Sequence, residues 1–400
     1  METLAAFVKC AAKLAGITEK PKMGVLVQPN PATTDLFTGI TQSTLLTLLS
    51  TVKMNKKKSV VSRALGSVGQ ILTDVGVIAL NYDMTQADMQ FQGPVANILI
   101  GLMLTLLHEK APCQVGVEAK EEEDEDEGDH DEHIPDALSE LVGDLSRVLG
   151  PQFIPYFDQF FPALMKYTKP SRVHSDRCMA LGCFGDVVKE LGPGSIKYAE
   201  AVLPAVQNGL SDPMETVRRN AAFCVGHLVA ATGKQLAPHF QHILTLLAPL
   251  CQRTSEQRNI DDGGADIDNA LSAVCRMIRA APEAVPMPQV LPVIIAALPL
   301  RADHEEGDNV YDCLIDLIKA GDATAMANFN ALVAVMATTI TSESKTSRET
   351  KGLVSSAIHS MAASPASSAT LQSAIAAVTD AECSAALTSA ANGTLVFPEE

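Results

Sequence analysis

Residues 196–233 read IKYAEAVLPAVQNGLSDPMETVRRNAAFCVGHLVAATG, and this stretch decides the fold. Val202, Val206 and Leu210 recur at i, i+4 and i+8, the spacing of one apolar face of a helix. The sequence Ser-Asp-Pro at 211–213 ends that helix, because proline lacks the amide N–H and disfavours helix in the residue before it. The stretch therefore begins with one amphipathic helix that ends near Leu210.

A second helix is predicted directly after this break. Asp212 is the predicted N-cap, Pro213 suits the first turn, and Gly233 is the predicted end. Its apolar face carries Val217, Ala221, Cys224 and Leu228. Two antiparallel helices of about 40 residues cannot bury their own faces, so such a unit is stable only when stacked on similar units.

The same pattern recurs along the chain. We predict a leading helix and linker at 1–35, which form a truncated repeat, a helix-pair array at 36–363, and capping helices at 364–400. Within the array the predicted pairs lie at 36–80, 94–148, 151–192, 196–233, 236–282, 287–320 and 323–363. The predicted fold class is all-α, an α-solenoid of stacked antiparallel helix pairs.

The composition of the chain argues against several classes of structure and partner. Apolar residues make up 47% of the 400, which excludes a disordered chain, and aromatic residues only 4%, which favours closely packed helices. The net charge of −17 argues against nucleic acid or an anionic membrane as a direct partner and favours basic proteins. Most of the nine cysteines fall on apolar helical faces without metal-ligand spacing, and we interpret them as buried free thiols in a reducing compartment: Cys178, Cys183, Cys224, Cys275 and Cys313 are examples.

Two charged segments interrupt the helical pattern. The run EEEDEDEGDHDE at 121–132 has ten acidic side chains in twelve and is predicted to be a solvated loop, either solubilising or an electrostatic arm for a basic partner. Its densest part is Glu121, Glu122, Glu123, Asp124, Glu125, Asp126 and Glu127. The basic sequence KMNKKK at 53–58 is interpreted as a solvated turn.

Polar residues also recur on the second helices of the pairs. One residue past Gly69, Gly143, Gly185 and Gly226 stand Gln70, Asp144, Asp186 and His227, with Arg276 and Asp316 as later equivalents. Like charges repeat at i, i+4, as in Asp186 with Glu190, and each such pair costs a helix about 0.2–0.5 kcal/mol. Either these carboxylates are simply solvated, or stacking aligns them on a surface where lysine and arginine side chains of a ligand neutralise them.

Three asparagines, Asn220, Asn269 and Asn309, share a position near the start of the second helices. They either bond neighbouring backbone and fix the stack, or hold the backbone of an extended peptide. We find no phosphate loop, nucleophile elbow, zinc helix or CxxC pair, so we expect no enzyme, metal or cofactor.

Four segments carry a resemblance to a known family. In order they read DALSELVGDLSRVLGPQFIPYFDQFFPALM from 136, ALGCFGDVVKELG from 180, DPMETVRRNAAFCVGHL from 212 and LPLRADHEEGDNVYDCL from 298. With the acidic run before them, their order and spacing resemble the C-terminal part of an importin-β-type nuclear transport receptor, a karyopherin. The resemblance covers about 36–363.

The resemblance implies a carrier that shuttles between cytoplasm and nucleus and takes basic cargo through nuclear pores. It implies HEAT repeats whose second helices line the concave surface, core histones with a histone chaperone and ribosomal proteins as cargo, and nucleoporins as partners. It also implies that the Ran GTPase binds mainly through N-terminal repeats absent here. The alternative is a HEAT scaffold of the phosphatase-regulatory kind, which would hold enzyme subunits rather than basic tails.

Twelve residues are the predicted cargo contacts. The carboxylates would pair with cargo cations, and the asparagines would contact cargo backbone. They are Asp144, Asp186, Glu190, Asn220, Asp268, Asn269, Glu305, Glu306, Asp308, Asn309, Asp312 and Asp316.

Overall fold

A computed structural model describes residues 1–85, 91–115, 133–253 and 263–397. Within these ranges the regular secondary structure is helical, apart from an isolated bridge between Asp83 and Pro94, which confirms the all-α class. The helices are α1 (Glu2–Leu14), α2 (Thr34–Met54), α3 (Lys58–Val75), α4 (Ile78–Asn81), α5 (Val95–Leu107), α6 (His133–Leu149), α7 (Ile154–Tyr167), α8 (His174–Leu191), α9 (Ile196–Leu210), α10 (Glu215–Thr232), α11 (Phe240–Cys251), α12 (Ala265–Ala280), α13 (Met287–Ala297), α14 (Gly307–Lys319), α15 (Ala323–Ala327), α16 (Phe329–Thr339), α17 (Arg348–Ala363), α18 (Ser368–Ala377) and α19 (Ala381–Ala391).

The chain divides into two compact units, Met1–Ala205 and Val206–Glu400, and the boundary falls inside α9. In the first unit the second helices of the pairs stack in the order α3, α6, α8, and the first helices in the order α2, α5, α7. In the second unit the second helices stack as α10, α12, α14, α17 and α19. Each unit is thus a two-row stack of helix pairs, the arrangement of an α-solenoid.

The turn between α9 and α10 departs from the sequence prediction. The second helix begins at Glu215 with Met214 as N-cap, so Asp212 as N-cap was wrong. The Asp212 carboxylate instead accepts a hydrogen bond of 3.0 Å from the Met214 amide, which tightens the turn before the helix. The predicted end at Gly233 is confirmed, and its φ of +56° is a backbone conformation that glycine adopts readily.

Aromatic side chains fill the core of the first unit where α7 meets α8 and α9. Phe153, Phe157, Phe160 and Phe184 are buried, and the rings of Phe157 and Tyr198 meet edge to face with centroids 5.0 Å apart. Edge-to-face contacts of this kind add to the hydrophobic gain of burial. The few aromatic residues of the chain are therefore concentrated where one repeat packs on the next.

The core of the second unit relies on small residues. Ala221, Ala222, Ala270 and Ala273 of α10 and α12 are fully buried, which lets these two helices approach closely. Cys224, Cys275 and Cys313 are buried and form no disulfide, as the sequence predicted, whereas Cys178 is only partly buried. Within the described ranges, no helix is both long enough and apolar enough to cross a bilayer.

Candidate functional site

The glycines on the second helices make room for polar side chains of the next helix in the stack. A Cβ on Gly143 would lie 3.7 Å from the Asp186 carboxylate, and a Cβ on Gly226 would lie 3.1 Å from the Arg276 guanidinium. A Cβ on Gly69 would collide with the Asp144 carboxylate. The recurring polar residue therefore lies over the glycine of the preceding repeat, which explains why the two types alternate along the stack.

In the first unit this packing produces an acidic surface on α6 and α8, which we call the α6–α8 ridge and which consists of Glu140, Asp144, Asp186 and Glu190. Arg147 pairs with Asp144 at 2.9 Å and approaches Glu190 at 3.6 Å. Among the described residues, Asp144 and Glu190 are the two carboxylates of the ridge with which Arg147 forms ion pairs. The ridge therefore keeps an excess of negative charge on a surface shared by two neighbouring repeats.

Burial changes the acidity of the ridge. Removal from water raises the pKa of Asp186, Asp144 and Glu140 above the ordinary carboxyl values. Neighbouring carboxylates raise the pKa of Glu140 further. Lys189 and Arg147 oppose the rise of the pKa at Asp186 more than the neighbouring carboxylates add to it, and Arg147 opposes the rise at Asp144. A raised carboxyl pKa means that the ionised form is destabilised, so a cationic side chain arriving from outside would stabilise it.

A second acidic surface lies on α14 and the turn before it, and we call it the α14 ridge: Glu305, Asp308, Asp312 and Asp316. Arg279 of α12 lies between two of these carboxylates, 3.9 Å from Asp312 and 3.5 Å from Asp316. Asp308 accepts a hydrogen bond from the Thr350 hydroxyl. Glu305, Asp308 and Asp316 are exposed, so most of this ridge is open to solvent.

Two of the predicted cargo contacts, Asp268 and Asn269, are instead buried and bond to groups of the protein itself. Asp268 is 3% exposed, and its carboxylate accepts three backbone N–H bonds from Arg301, Ala302 and Asp303 at 2.7–3.0 Å. Asn269 is also buried and donates to the Ala265 carbonyl and the Asp303 carboxylate. Both residues anchor the turn before α14, and their burial leaves them no surface for cargo.

Glu306 and Asn309 belong to a polar network between α12 and α14. Glu306 is 5% exposed, pairs with Arg276 at 2.8 Å and accepts a hydrogen bond from Ser272. Asn309 donates to the Ser272 carbonyl at 3.0 Å. For Asn309, as for Asn269, the structure shows the backbone-bonding role rather than an open peptide clamp. Asn220 is half-buried and accepts a bond from the Arg219 guanidinium.

Sequence reasoning missed the arginines that partly neutralise the ridges. Arg147 lies three residues after Asp144, a spacing that places both on one helix face, so the sequence did contain that signal. Arg279 reaches Asp312 and Asp316 from a different helix, and no local spacing reveals that contact. The predicted acidic run at 121–132 lies outside the described residues.

Comparisons with known proteins show what this chain resembles. Residues 126–277 match the family model described as importin subunit beta-1-like, TPR repeats. Human Importin-4 is 27% identical over 259 residues, which is 64% of this chain and 22% of that protein. The aligned stretch thus spans about a fifth of that relative's length.

Solved structures share the fold. The karyopherin Kap121p bound to the SUMO protease Ulp1p superposes with a TM-score of 0.62 at 14% identity, covering 92% of this chain and 31% of that one. Kap121p bound to RanGTP superposes with a TM-score of 0.60 at 15% identity, covering 88% of this chain and 30% of that one.

Stacked helix pairs, with second helices that carry a recurring polar column, define an α-solenoid, a fold that Kap121p shares. Among proteins with this fold, the family-model match and the similarity to Importin-4 both point to importins. Together these findings show that the chain is similar to part of an importin-β family protein.

Proposed function

We propose that this chain is the cargo-binding part of a nuclear import receptor and that it binds lysine- and arginine-rich protein segments on its second helices. The observation that carries the proposal is the α6–α8 ridge, where three carboxyls with raised pKa lie side by side on two consecutive repeats. Cationic side chains that dock there relieve both the like-charge repulsion and the cost of burial.

The proposed site differs from the set expected from sequence. It consists of Glu140, Asp144, Asp186 and Glu190 in the first unit and Glu305, Asp308, Asp312 and Asp316 in the second, each ridge acting by itself. Asp268, Asn269, Glu306 and Asn309 are left out because they are engaged inside the protein. Asn220 stays a proposed contact.

The comparisons support the transport role over a phosphatase-type scaffold. The relative is an importin, and importins are transport receptors rather than enzymes. A structural neighbour is bound to RanGTP and another to a protein, Ulp1p. We extend these properties to this chain as proposals: passage between cytoplasm and nucleus, contact with nucleoporins and Ran in the whole receptor, and core histones and ribosomal proteins as the cargo class.

A peptide titration tests the proposal. Binding of a fluorescent lysine- and arginine-rich peptide is measured by anisotropy for the unaltered chain and for E140Q/D144N/D186N. We expect the triple variant to bind about fivefold more weakly, since each exposed ion pair is worth roughly 0.2–1 kcal/mol.

The matched control is E19Q/D35N/E200Q, which removes the same charge from exposed carboxylates elsewhere in the first unit. Its affinity should stay within twofold of the unaltered chain. Equal losses in the two triple variants would show that only net charge matters and would remove the ridge as a site.

A further inference from the structure

One cation of the protein itself already lies on the α6–α8 ridge. Arg147, in the last turn of α6, donates a 2.9 Å hydrogen bond to the Asp144 carboxylate of its own helix. Its Nε atom lies 3.6 Å from the Glu190 carboxylate of α8, a distance at which the charges attract but no hydrogen bond forms. One guanidinium therefore bridges two carboxylates that belong to consecutive repeats.

The arginine lies on the solvent side of this bridge. Its side chain is 55% exposed, whereas those of Asp144 and Glu190 are 22% and 18% exposed. An exposed ion pair contributes little to stability, because water and salt screen it and the long side chain loses rotamer freedom. Because α6 and α8 pack on each other, the two carboxylates keep their positions when the arginine leaves them.

The geometry of the bridge suits a guanidinium better than an ammonium group. Arg147 uses different nitrogen atoms for the two carboxylates, Nη1 for Asp144 and Nε for Glu190. A planar guanidinium presents several donors in a fixed fork, whereas the ammonium group of lysine is a single point charge. Among the side chains of a basic segment, arginine is therefore the one that fits between these two carboxylates.

We propose that Arg147 is an internal counterion, which an arginine of the cargo displaces from between Asp144 and Glu190. This inference rests on the proposed function, since it concerns how the same ridge takes its basic segment. The cargo guanidinium binds both carboxylates, and Arg147 moves into solvent near the C-terminal carbonyls of α6, where a cation is favoured. Arg147 thus lowers the affinity of the ridge for basic segments, and arginine is the cargo residue that replaces it best.

Anisotropy titrations with two fluorescent peptides, nona-arginine and nona-lysine, test this inference. The variant Arg147→Gln leaves the bridge open, and we expect it to bind nona-arginine about threefold more tightly than the unaltered chain, because one exposed ion pair no longer has to be broken. The matched control, Arg63→Gln, removes an exposed guanidinium from α3. Its affinity should change by less than about 1.5-fold, since salt screens a single distant charge. Equal gains in the two variants, or weaker binding by Arg147→Gln, would overturn the proposal.

The two carboxylates are tested in a second background. In D144N/E190Q the groups that Arg147 covers are gone, so adding Arg147→Gln should give no gain beyond that of Arg63→Gln. A gain that persists in this background would contradict displacement from the bridge. Arg147→Gln should also prefer nona-arginine to nona-lysine, and D144N/E190Q should reduce that preference. An equal preference with and without the two carboxylates would contradict a guanidinium site between them.

The triple variant E140Q/D144N/D186N separates this inference from the proposed function. If it binds the lysine- and arginine-rich peptide as tightly as the unaltered chain, the ridge is not the site and both fail. If it binds more weakly while Arg147→Gln shows no gain, the ridge still takes the basic segment but the internal counterion is refuted.

Discussion

At the scale of single residues, the carboxylates of the second helices divide into two kinds. Asp268 has three backbone donors around it and is almost completely buried. Asp186 is half-buried, and the described residues donate no hydrogen bond to it, while burial raises its pKa. A carboxylate without internal donors on a partly exposed helix face is the kind that gains most from an external cation.

The raised pKa of Asp186 predicts how stability depends on pH. A raised native pKa means that the native state binds the proton more tightly, so the carboxyl destabilises the fold as pH rises above its ordinary value near 4. We expect Asp186→Asn to stabilise α8 at pH 7 by about 0.5 kcal/mol, the size of one like-charge pair on a helix. Hydrogen exchange of the amides at 174–191 measures this gain.

The gain should shrink as the pH falls and disappear well below pH 4, where the carboxyl is protonated in both states. Asp35→Asn, at an exposed position, is the control and should change exchange little at either pH. Destabilisation by Asp186→Asn at pH 7 would show that the carboxylate has an internal role.

Removing the Asp268 carboxylate should cost stability rather than binding. Asp268→Ala leaves the amides of Arg301, Ala302 and Asp303 without their acceptor, and we expect a loss of about 2–3 kcal/mol in the free energy of unfolding. Denaturant unfolding measures it, with Glu305→Ala as the exposed control. A stable Asp268→Ala variant that no longer binds basic peptide would restore Asp268 as a cargo contact.

The sequence predicted which positions are polar but not which are occupied internally. The backbone donors to Asp268 lie 33–35 residues away, and the arginine that reaches Asp316 lies on another helix. Contacts at such separations depend on how repeats stack, which the spacing within one helix does not encode. Asp268 and an exposed acid such as Glu305 therefore look alike in sequence.

At the scale of helices, the apolar periodicity and the helix-breaking residues predicted where the helix pairs lie. Ends marked by glycine, as at Gly233, were found, and α12 and α14 lie inside the predicted pairs. The error at Asp212 arose because aspartate also forms local turns, which compete with capping for the same carboxylate.

Glycine on the second helices sets how closely neighbouring helices approach. A Cβ on Gly226 would lie 3.2 Å from the Ala273 Cα, which is backbone and cannot turn away. We expect Gly226→Ala to destabilise the second unit by about 1–3 kcal/mol, the usual cost of overpacking. Thermal unfolding shows whether the variant is less or more stable than the unaltered chain.

Gly352→Ala on α17 is the matched control, because its Cβ would meet nothing within 4 Å. It should stabilise by up to about 1 kcal/mol through helix propensity. Stabilisation by both changes would mean that α10 and α12 are not in close contact.

At the scale of the whole molecule, the net charge of −17 is unevenly distributed. In the first unit the second helices carry an acidic ridge, and the connections at one edge carry lysines and, at 121–132, ten acidic residues. Composition predicted a basic partner but not where the charges lie, because the ends of α2, α5 and α7 meet only after stacking.

The α14 ridge predicts a salt effect. Exposed ion pairs are screened by salt, with a Debye length of about 10 Å at 0.1 M. We expect D308A/D312A/D316A to weaken binding of the lysine- and arginine-rich peptide at low salt and to reduce the slope of affinity against salt. Because Arg279 already lies near two of these carboxylates, the loss should be smaller than that of the α6–α8 triple variant. Unchanged affinity at low salt would remove the α14 ridge.

Zero-length carbodiimide cross-linking of the lysine- and arginine-rich peptide, read by mass spectrometry, tests most directly whether second-helix carboxylates receive cargo cations. The account predicts peptide joined to Glu140, Asp186 and Glu190, and to Asp308 or Asp316 in the second unit. Cross-links confined to Glu19, Asp35 and Glu200, or to the acidic run at 121–132, would contradict it.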